Sequence, residues 1–465
     1  MRRFIVMAVA AFLAVAANLA AQQAPAATAR PVPQFLGRSV IYQVWMRSFT
    51  PEGTLNATRQ RLRHVSELGA DIVYLSPVNV HGYPSVFGPS TPYEIKDYDR
   101  IDPEYGTEDD LKALVAEAHQ LGLKVIMDIV YSHSANDCVL LHVPGFFQRR
   151  ADGSLIMSRW KTPQPDFSNP KVHDYFRQNM LHWVRDVGVD GFRADVAGAV
   201  PLEFWESARD ALERVNPNVI MLAEADVPEH QLKAFDISYN FSYYTALQAV
   251  FVNGEPAQRI REQWEKMRAA FPRGSRFLHL NDNHDRNRVD VVFGERAAMT
   301  SSVLNFTLDG IPFLYNGQEI GDTTAPHQQA HVPIRWEMYR PTAQPRSGLL
   351  SRQLRKMEFY KGLIEMRKQQ PALTSGVLQW VNNSNADAVV SFVRKEGNDE
   401  ILVLINTTNR PATVAVDVQP AGYGESRDLV KKEPVRCSPS SGRLSCVLGA
   451  WDYVVAKRSS TPVAR

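Results

Sequence analysis

Eight short apolar runs alternating with segments of helical period constrain this chain more than any other feature of its sequence. The runs are Val40–Trp45, Asp71–Leu75, Lys124–Val130, Gly191–Val196, Val219–Ala223, Ala234–Ser238, Phe277–Asn281 and Ile311–Tyr315. Helical segments follow most of them: Leu55–Leu68, Thr107–Leu121, Lys171–Val187, Pro201–Val215, Tyr244–Ala270, Glu295–Leu308 and Leu350–Lys368. A strand that must reach a parallel neighbour needs a crossover, and a helix is its usual form. Eight such units predict an α/β fold of the closed (β/α)8 TIM barrel type. Some boundaries are explicit: Gly106-Thr107-Glu-Asp-Asp opens a helix with a Thr cap and an acidic first turn, and Gly122 closes it.

The rest of the chain departs from this rhythm. Residues 134–170, rich in Pro, Gly and polar side chains, are too long for an ordinary barrel loop and read as a short inserted domain after strand three. Beyond Pro371 the pattern changes to Val377–Val381, Ala388–Val393 and Ile401–Ile405 with Gly and Asn punctuation, which predicts a C-terminal antiparallel β-sandwich domain over 371–458. The barrel then occupies 35–370. Residues 22–34, rich in Ala, Gln and Pro, read as a linker. Ahead of them, Arg2 and Arg3, an apolar stretch Phe4–Ala17 and small residues to Ala21 read as a signal peptide over 1–21, so the protein is expected to be exported.

An exported chain can keep a disulfide, and Cys437 and Cys446 flank a turn-rich stretch that such a bridge would close; Cys138 is left over as a small buried hydrophobe. At 44% hydrophobic and 22% charged residues, disorder and fibrous architectures are excluded. The formal charge of +2 falls to 0 without Arg2 and Arg3, so no electrostatic feature calls for nucleic acid or, once the signal is gone, a membrane.

Barrels of this kind place chemistry where the strands end. Those ends carry Asp128 to His133 after strand three, Arg193 and Asp195 after four, Glu224 after five and Asn283-His284-Asp285 after seven. Side chains at i and i+2 of a strand share a face, so Arg193 and Asp195 point into one space, where the guanidinium would keep the carboxylate ionised. Singly, each residue has a bland reading: an ion pair at a strand end, a helix cap at Glu224, a packed loop residue at His284. Together, Asp195, Glu224 and Asp285 form a carboxylate group at one mouth, with no glycine-rich phosphate cradle beside it. Paired carboxylates flanking a bond are what glycoside hydrolysis needs. Asp195 beside Arg193 is the better nucleophile; Glu224, with no basic sequence neighbour and two aspartates close by, is expected to have a raised pKa and to act as acid and base.

The segments Asp128-Ile-Val-Tyr-Ser-His133, Gly191-Phe-Arg-Ala-Asp195, Met221-Leu-Ala-Glu224 and Asn283-His-Asp285 resemble, in order and spacing, the signature regions of the α-amylase family of retaining glycoside hydrolases. Ile41-Tyr-Gln-Val-Trp45, Leu75-Ser-Pro77, the stretch from Asp97 to Thr107, Gln164-Pro-Asp-Phe167 and Pro312 to Glu319 are similar too, so the resemblance covers roughly 38–370. It implies Asp195 as nucleophile, Glu224 as acid/base and Asp285 as the clamp that stabilises the transition state. His133, His284 and Arg193 would line the subsite of the attacked sugar, Tyr93 would stack on that sugar, and Asp128 would orient Arg193. Phe146, Phe147 and Trp160 of the insertion are either further sugar platforms or packing residues.

The family often holds a structural calcium, but Ser132 stands where many members have an Asn ligand, and the insertion has no acidic loop. These departures count against calcium without closing that option, and no organic cofactor is implied. Val196-Ala-Gly-Ala199 lacks the Lys-His pair of many starch-cleaving members, and His331-Val-Pro-Ile-Arg-Trp-Glu337 resembles members that act on oligosaccharides. The implied substrate is an α-1,4-linked glucan or maltooligosaccharide. A glucanotransferase using the same residues, and a non-catalytic carbohydrate-binding relative, are the competing readings.

Overall fold

The computed structural model describes residues 27–82, 91–336 and 348–459. The segment read as a signal peptide, and Glu337 of the stretch after strand eight, lie outside them. Among the described residues no helix is long and apolar enough to cross a membrane.

The barrel strands are β1 (Ile41–Val44), β2 (Ile72–Leu75), β3 (Lys124–Ile129), β4 (Gly191–Ala194), β5 (Ile220–Ala223), β6 (Ile237–Ser238), β7 (Leu278–His279) and β8 (Ile311–Tyr315). They pair in parallel in the order β6-β5-β4-β3-β2-β1-β8-β7. A parallel bridge between Ser238 and Phe277 then joins β6 to β7 and closes the ring. Runs such as Ile72-Val-Tyr-Leu75 are apolar throughout because both faces are covered, and all four residues are fully buried. The sixth and seventh strands are shorter than the sequence suggests, two residues each.

Around the barrel run α1 (Leu55–Leu68), α2 (Glu108–Gln120), α3 (Pro170–His182), α4 (Leu202–Glu213), α5 (Phe241–Phe251), α6 (Gln258–Ala270), α7 (Glu295–Thr307) and α8 (Gly348–Gln369). Their starts follow the local chemistry. Thr107 and Asp110 form a reciprocal capping box on α2, and Asn169 caps α3 with Pro170 in its first turn. The single helix expected over Tyr244–Ala270 is two helices. Asn253-Gly254-Glu255-Pro256 breaks it, since Gly254 takes φ 72° and Pro256 has no N–H to give a preceding turn. The end of the segment expected at Val187 loosens into a π turn over Trp183–Val187.

The inserted residues 134–170 contain a 3₁₀ turn at Val139–His142 and isolated bridges such as Phe147 to Pro165, with no regular strand. An antiparallel ribbon of Asn79–His81 with Ile95–Ile101 follows β2 and was not expected from the sequence; Tyr93 and Glu94 immediately precede its second strand. Within the segment read as a linker, Ala29 donates its N–H to the Arg273 carbonyl at 2.9 Å, and Arg30 pairs with Asp236 and Glu213 beneath the barrel.

The C-terminal domain stacks two antiparallel sheets. One orders β9 (Val377–Trp380), β10 (Val389–Glu396), β11 (Asp399–Asn406) and β15 (Tyr453–Lys457). The other orders β12 (Ala412–Val416), β14 (Arg443–Leu448) and β13 (Cys437–Ser440). Cys437 and Cys446 face each other in the β13–β14 register and are joined by a disulfide. Period-two alternation divides the buried residues: Leu402 and Leu404 pack into the sandwich, whereas Ile401, Val403 and Ile405 join the barrel's own core.

Candidate active site

Asp128 on β3 and Arg193 on β4 are directly opposed in the parallel ladder, and the guanidinium Nη1 lies 2.7 and 3.0 Å from the two Asp128 oxygens. The same Nη1 donates to Asp195 Oδ1 at 2.9 Å, two residues along on the same face. Nη2 lies 2.9 Å from Glu224 Oε1, which follows β5. One fully buried cation therefore holds carboxylates from three successive strands. Glu224 is fixed on its other oxygen by the Val196 N–H at 2.9 Å. That N–H is aimed by an unusual backbone, since Val196 adopts φ 42° and ψ 47°, the left-handed region a β-branched residue seldom enters.

Burial of Asp195 and the neighbouring Glu224 carboxylate push its pKa well above the ordinary range, and Arg193 pulls it back only in part. The expectation that Arg193 simply keeps Asp195 ionised is corrected by this count: one guanidinium serves Asp128, Asp195 and Glu224 together.

An aromatic wall fixes the other side. The Tyr93 hydroxyl donates to Asp128 Oδ2 at 2.8 Å and lies 2.6 Å from His284 Nε2, while Tyr74 donates to the same Asp128 oxygen at 2.7 Å. With Gln43 Nε2 donating to His284 Nδ1 at 2.8 Å, the chain of bonds requires the neutral tautomer with its proton on Nε2. Burial, the largest influence on His284, lowers its pKa and favours that neutral form. The His284 ring stacks between Trp45, 5.0 Å away at 6°, and Tyr93, 5.3 Å away at 16°. Asp285 follows in the turn after β7, with its N–H bonded to Asn283 and its carboxylate receiving the Gln328 amide.

These groups open into a cavity of 540 Å³ lined by Tyr93, His133, Trp160, Asp195, Glu224, His284 and Asp285 among others. The cavity thus brings together six of the eight residues singled out from the sequence, with Arg193 and Asp128 buried behind them. His133 is bonded to Ser132 through Nδ1 at 2.8 Å and packs on Trp160 at 4.9 Å; burial pushes its pKa down to about 4. Of the insertion aromatics only Trp160 reaches the cavity. Phe146 and Phe147 are buried against each other, and Phe146 also packs on Tyr175 and Phe176. Sequence reasoning gave no role to Gln43, Trp45, Tyr74, Val196 or Gln328. The first two lie in a stretch already noted for its resemblance, at the C-terminal end of β1, where the strand-end rule would have found them.

The Ser132 hydroxyl is engaged by His133, and the one metal-like group among the described residues, His81 with Asp102 and Glu104, already holds the Arg47 guanidinium against Glu104 at 2.8 Å.

A family model described as the α-amylase catalytic domain matches residues 26–142 and 154–344. An α-amylase of Haloarcula japonica, MalA, is 28% identical over 86% of this chain, and this chain spans 59% of that relative's length. Neopullulanase 2 of Thermoactinomyces vulgaris is 27% identical over 91% of this chain and 78% of its own. Among solved structures, a noncanonic maltogenic α-amylase, AmyB from Thermotoga neapolitana, superposes with a TM-score of 0.81 at 25% identity, covering 92% of this chain and all of that one.

Proposed function

The chain belongs to the α-amylase family, and from that premise we propose that it is a retaining glycoside hydrolase acting on α-1,4-linked glucans or maltooligosaccharides. The observation that carries this reading is the single Arg193 guanidinium holding Asp195 and Glu224 together at the mouth of the cavity that also contains Asp285. In the first step Asp195 attacks the anomeric carbon as Glu224 gives its proton to the leaving oxygen; in the second, Glu224 takes a proton from water, which releases the sugar from Asp195. Asp285 clamps sugar hydroxyls in the transition state, and His133, His284, Arg193 and Tyr93 line the subsite of the attacked sugar. Asp128 acts through Arg193, whose position it sets. The first step requires Asp195 as the carboxylate and Glu224 as the proton donor.

Neither metal nor organic cofactor takes part in this scheme. Export is part of the reading: the first 21 residues have the layout of a signal, and the Cys437–Cys446 bridge suits an oxidising compartment. N-terminal sequencing of the mature protein from a fractionated host should find a start near Gln22.

The test is a time course of products from maltoheptaose, resolved by chain length, with the anomeric configuration of the first product read by proton NMR. Shorter products with the α configuration are expected. A β product would refute retention, oligosaccharides longer than the substrate would make the enzyme a transferase, and inertness toward all α-glucans would return it to the binding-protein reading.

A further inference from the structure

The end of the barrel opposite the catalytic mouth carries an excess of positive charge that the glycosidase reading does not use. A cavity of 870 Å³ lies there, between the loops that lead into β7 and β8 and the first strand of the C-terminal domain. Arg268, Arg273, Arg276 and Arg394 line it, against the carboxylates Glu265 and Asp309. Each carboxylate already has an arginine partner, Glu265 in Arg261 on the outer face of α6 and Asp309, through Oδ2, in Arg268, while Asp309 Oδ1 is buried without a hydrogen-bond partner. A fifth arginine, Arg367, is fully buried close behind.

Three of the five have evident structural duties. Arg367 donates to the carbonyls of Phe306 at 2.8 Å and Gly310 at 2.7 Å, Arg394 to those of Thr307 at 2.7 Å and Gly376 at 2.8 Å, and Arg268 is sandwiched between Trp264 and Phe277. Carbonyl dipoles satisfy donors but do not cancel charge. Burial and mutual repulsion accordingly push Arg367 down to about 9 and Arg394 down to about 10. Arg276 has no such duty. Among the described residues no carboxylate lies within ion-pair distance of it, its buried Nε has no acceptor, and burial together with Arg268 lowers its pKa. Four guanidinium groups against two carboxylates leave net positive charge around an open cavity, which is costly unless something anionic enters.

We infer that this cavity binds a small oxyanion, a phosphate or carboxylate group, held by Arg276 and Arg273 with Arg394 behind them. Guanidinium suits both classes because its parallel N–H donors match two oxygens at once. The site lies at the strand-start face of the barrel, away from the substrate cavity, and does not depend on the glycosidase reading.

The test is the thermal unfolding midpoint of the purified full chain titrated with inorganic phosphate or citrate, each against sodium chloride at matched ionic strength. A saturable rise of ~2 °C or more beyond chloride is expected. R276Q should abolish it, and since the Arg276 side chain makes no hydrogen bond to the protein among the described residues, this variant should fold. R273Q, at an exposed position, should weaken it and serves if R276Q does not fold. Response to phosphate alone assigns a tetrahedral oxyanion, and response to citrate alone or to both assigns a site that accepts carboxylate. No rise beyond chloride with either anion, or a full rise retained in R276Q and R273Q, overturns the inference.

Discussion

Asp195 and Glu224 contact the same guanidinium, yet their proposed roles differ, and substitution separates them. D195N should lose nearly all activity, a barrier increase of several kcal/mol, and form no covalent intermediate that mass spectrometry can detect. E224Q should lose activity on maltooligosaccharides but recover part of it on aryl glycosides with good leaving groups, which need little protonation. Equal loss on both substrates would remove Glu224 from the acid role. His133 gives a prediction of a different kind. Its pKa falls from 6.5 to about 4 in the folded state, so it stays neutral there while the unfolded chain gains a proton below pH 6.5. The stability it supports is complete above pH 6.5 and is lost as pH falls toward 4, a total on the order of 3 kcal/mol. Urea unfolding of H133Q should therefore show a shallower decline between pH 6.5 and 4 than the parent. The charged members of the site were legible in the sequence because strand ends and the i, i+2 rule place them. The hydrogen bonds of Tyr74, Gln43 and Gln328 were not, because they depend on how distant elements meet. The upward push on Asp195 was missed for the same reason: that Arg193 is shared among three carboxylates is a fact of β3, β4 and β5 side by side.

At the scale of elements, β4 depends on its first residue. Gly191 has φ 152°, and a Cβ there would meet the backbone oxygen of Ile220 at 2.0 Å, on the neighbouring strand β5. Backbone cannot yield as a side chain tip can, so G191A should disrupt the β4–β5 pairing that carries Arg193 and Asp195. Soluble expression should collapse, or the thermal midpoint should fall by ~5 °C or more with activity lost alongside. The β13–β14 hairpin makes the opposite case, since its disulfide spans 9 residues of sequence, lies in the sandwich core and does not line the catalytic cavity. C437A/C446A should cost about 2 to 3 kcal/mol of stability while leaving kcat on maltooligosaccharides unchanged. The strand-helix rhythm was readable because strands covered on both faces are apolar throughout. What sequence periodicity did not mark were features set by tertiary closure: the two-residue strands β6 and β7, which survive because the Ser238–Phe277 bridge completes a ring, and the ribbon beside Tyr93. The break between α5 and α6 was written in Gly254 and Pro256, but the apolar period continues across it and masks the signal.

For the molecule as a whole, the question is whether barrel and β domain are one cooperative body. The alternation on β10 and β11 gives the argument. Val390, Phe392, Ile401, Val403 and Ile405 belong to the same continuous core as the barrel strands, while Val389, Val393, Leu402 and Leu404 belong to the sandwich. The four-stranded sheet is thus a shared wall, and neither side can lose it without exposing its own core. Polar contacts run across the same seam: Thr300 donates to the Trp451 carbonyl at 2.6 Å, and the Trp451 ring stacks on Phe251 at 5.9 Å. Separate unfolding would also strand the Thr307 and Gly376 carbonyls that Arg394 joins. Calorimetry of the full chain should therefore show one unfolding transition. F392A, which opens a cavity on the barrel side of the wall, should cost about 3 to 5 kcal/mol and move that whole transition down without splitting it. Two resolved transitions in the parent, with F392A displacing only one, would show that the wall is docked onto the barrel rather than shared with it.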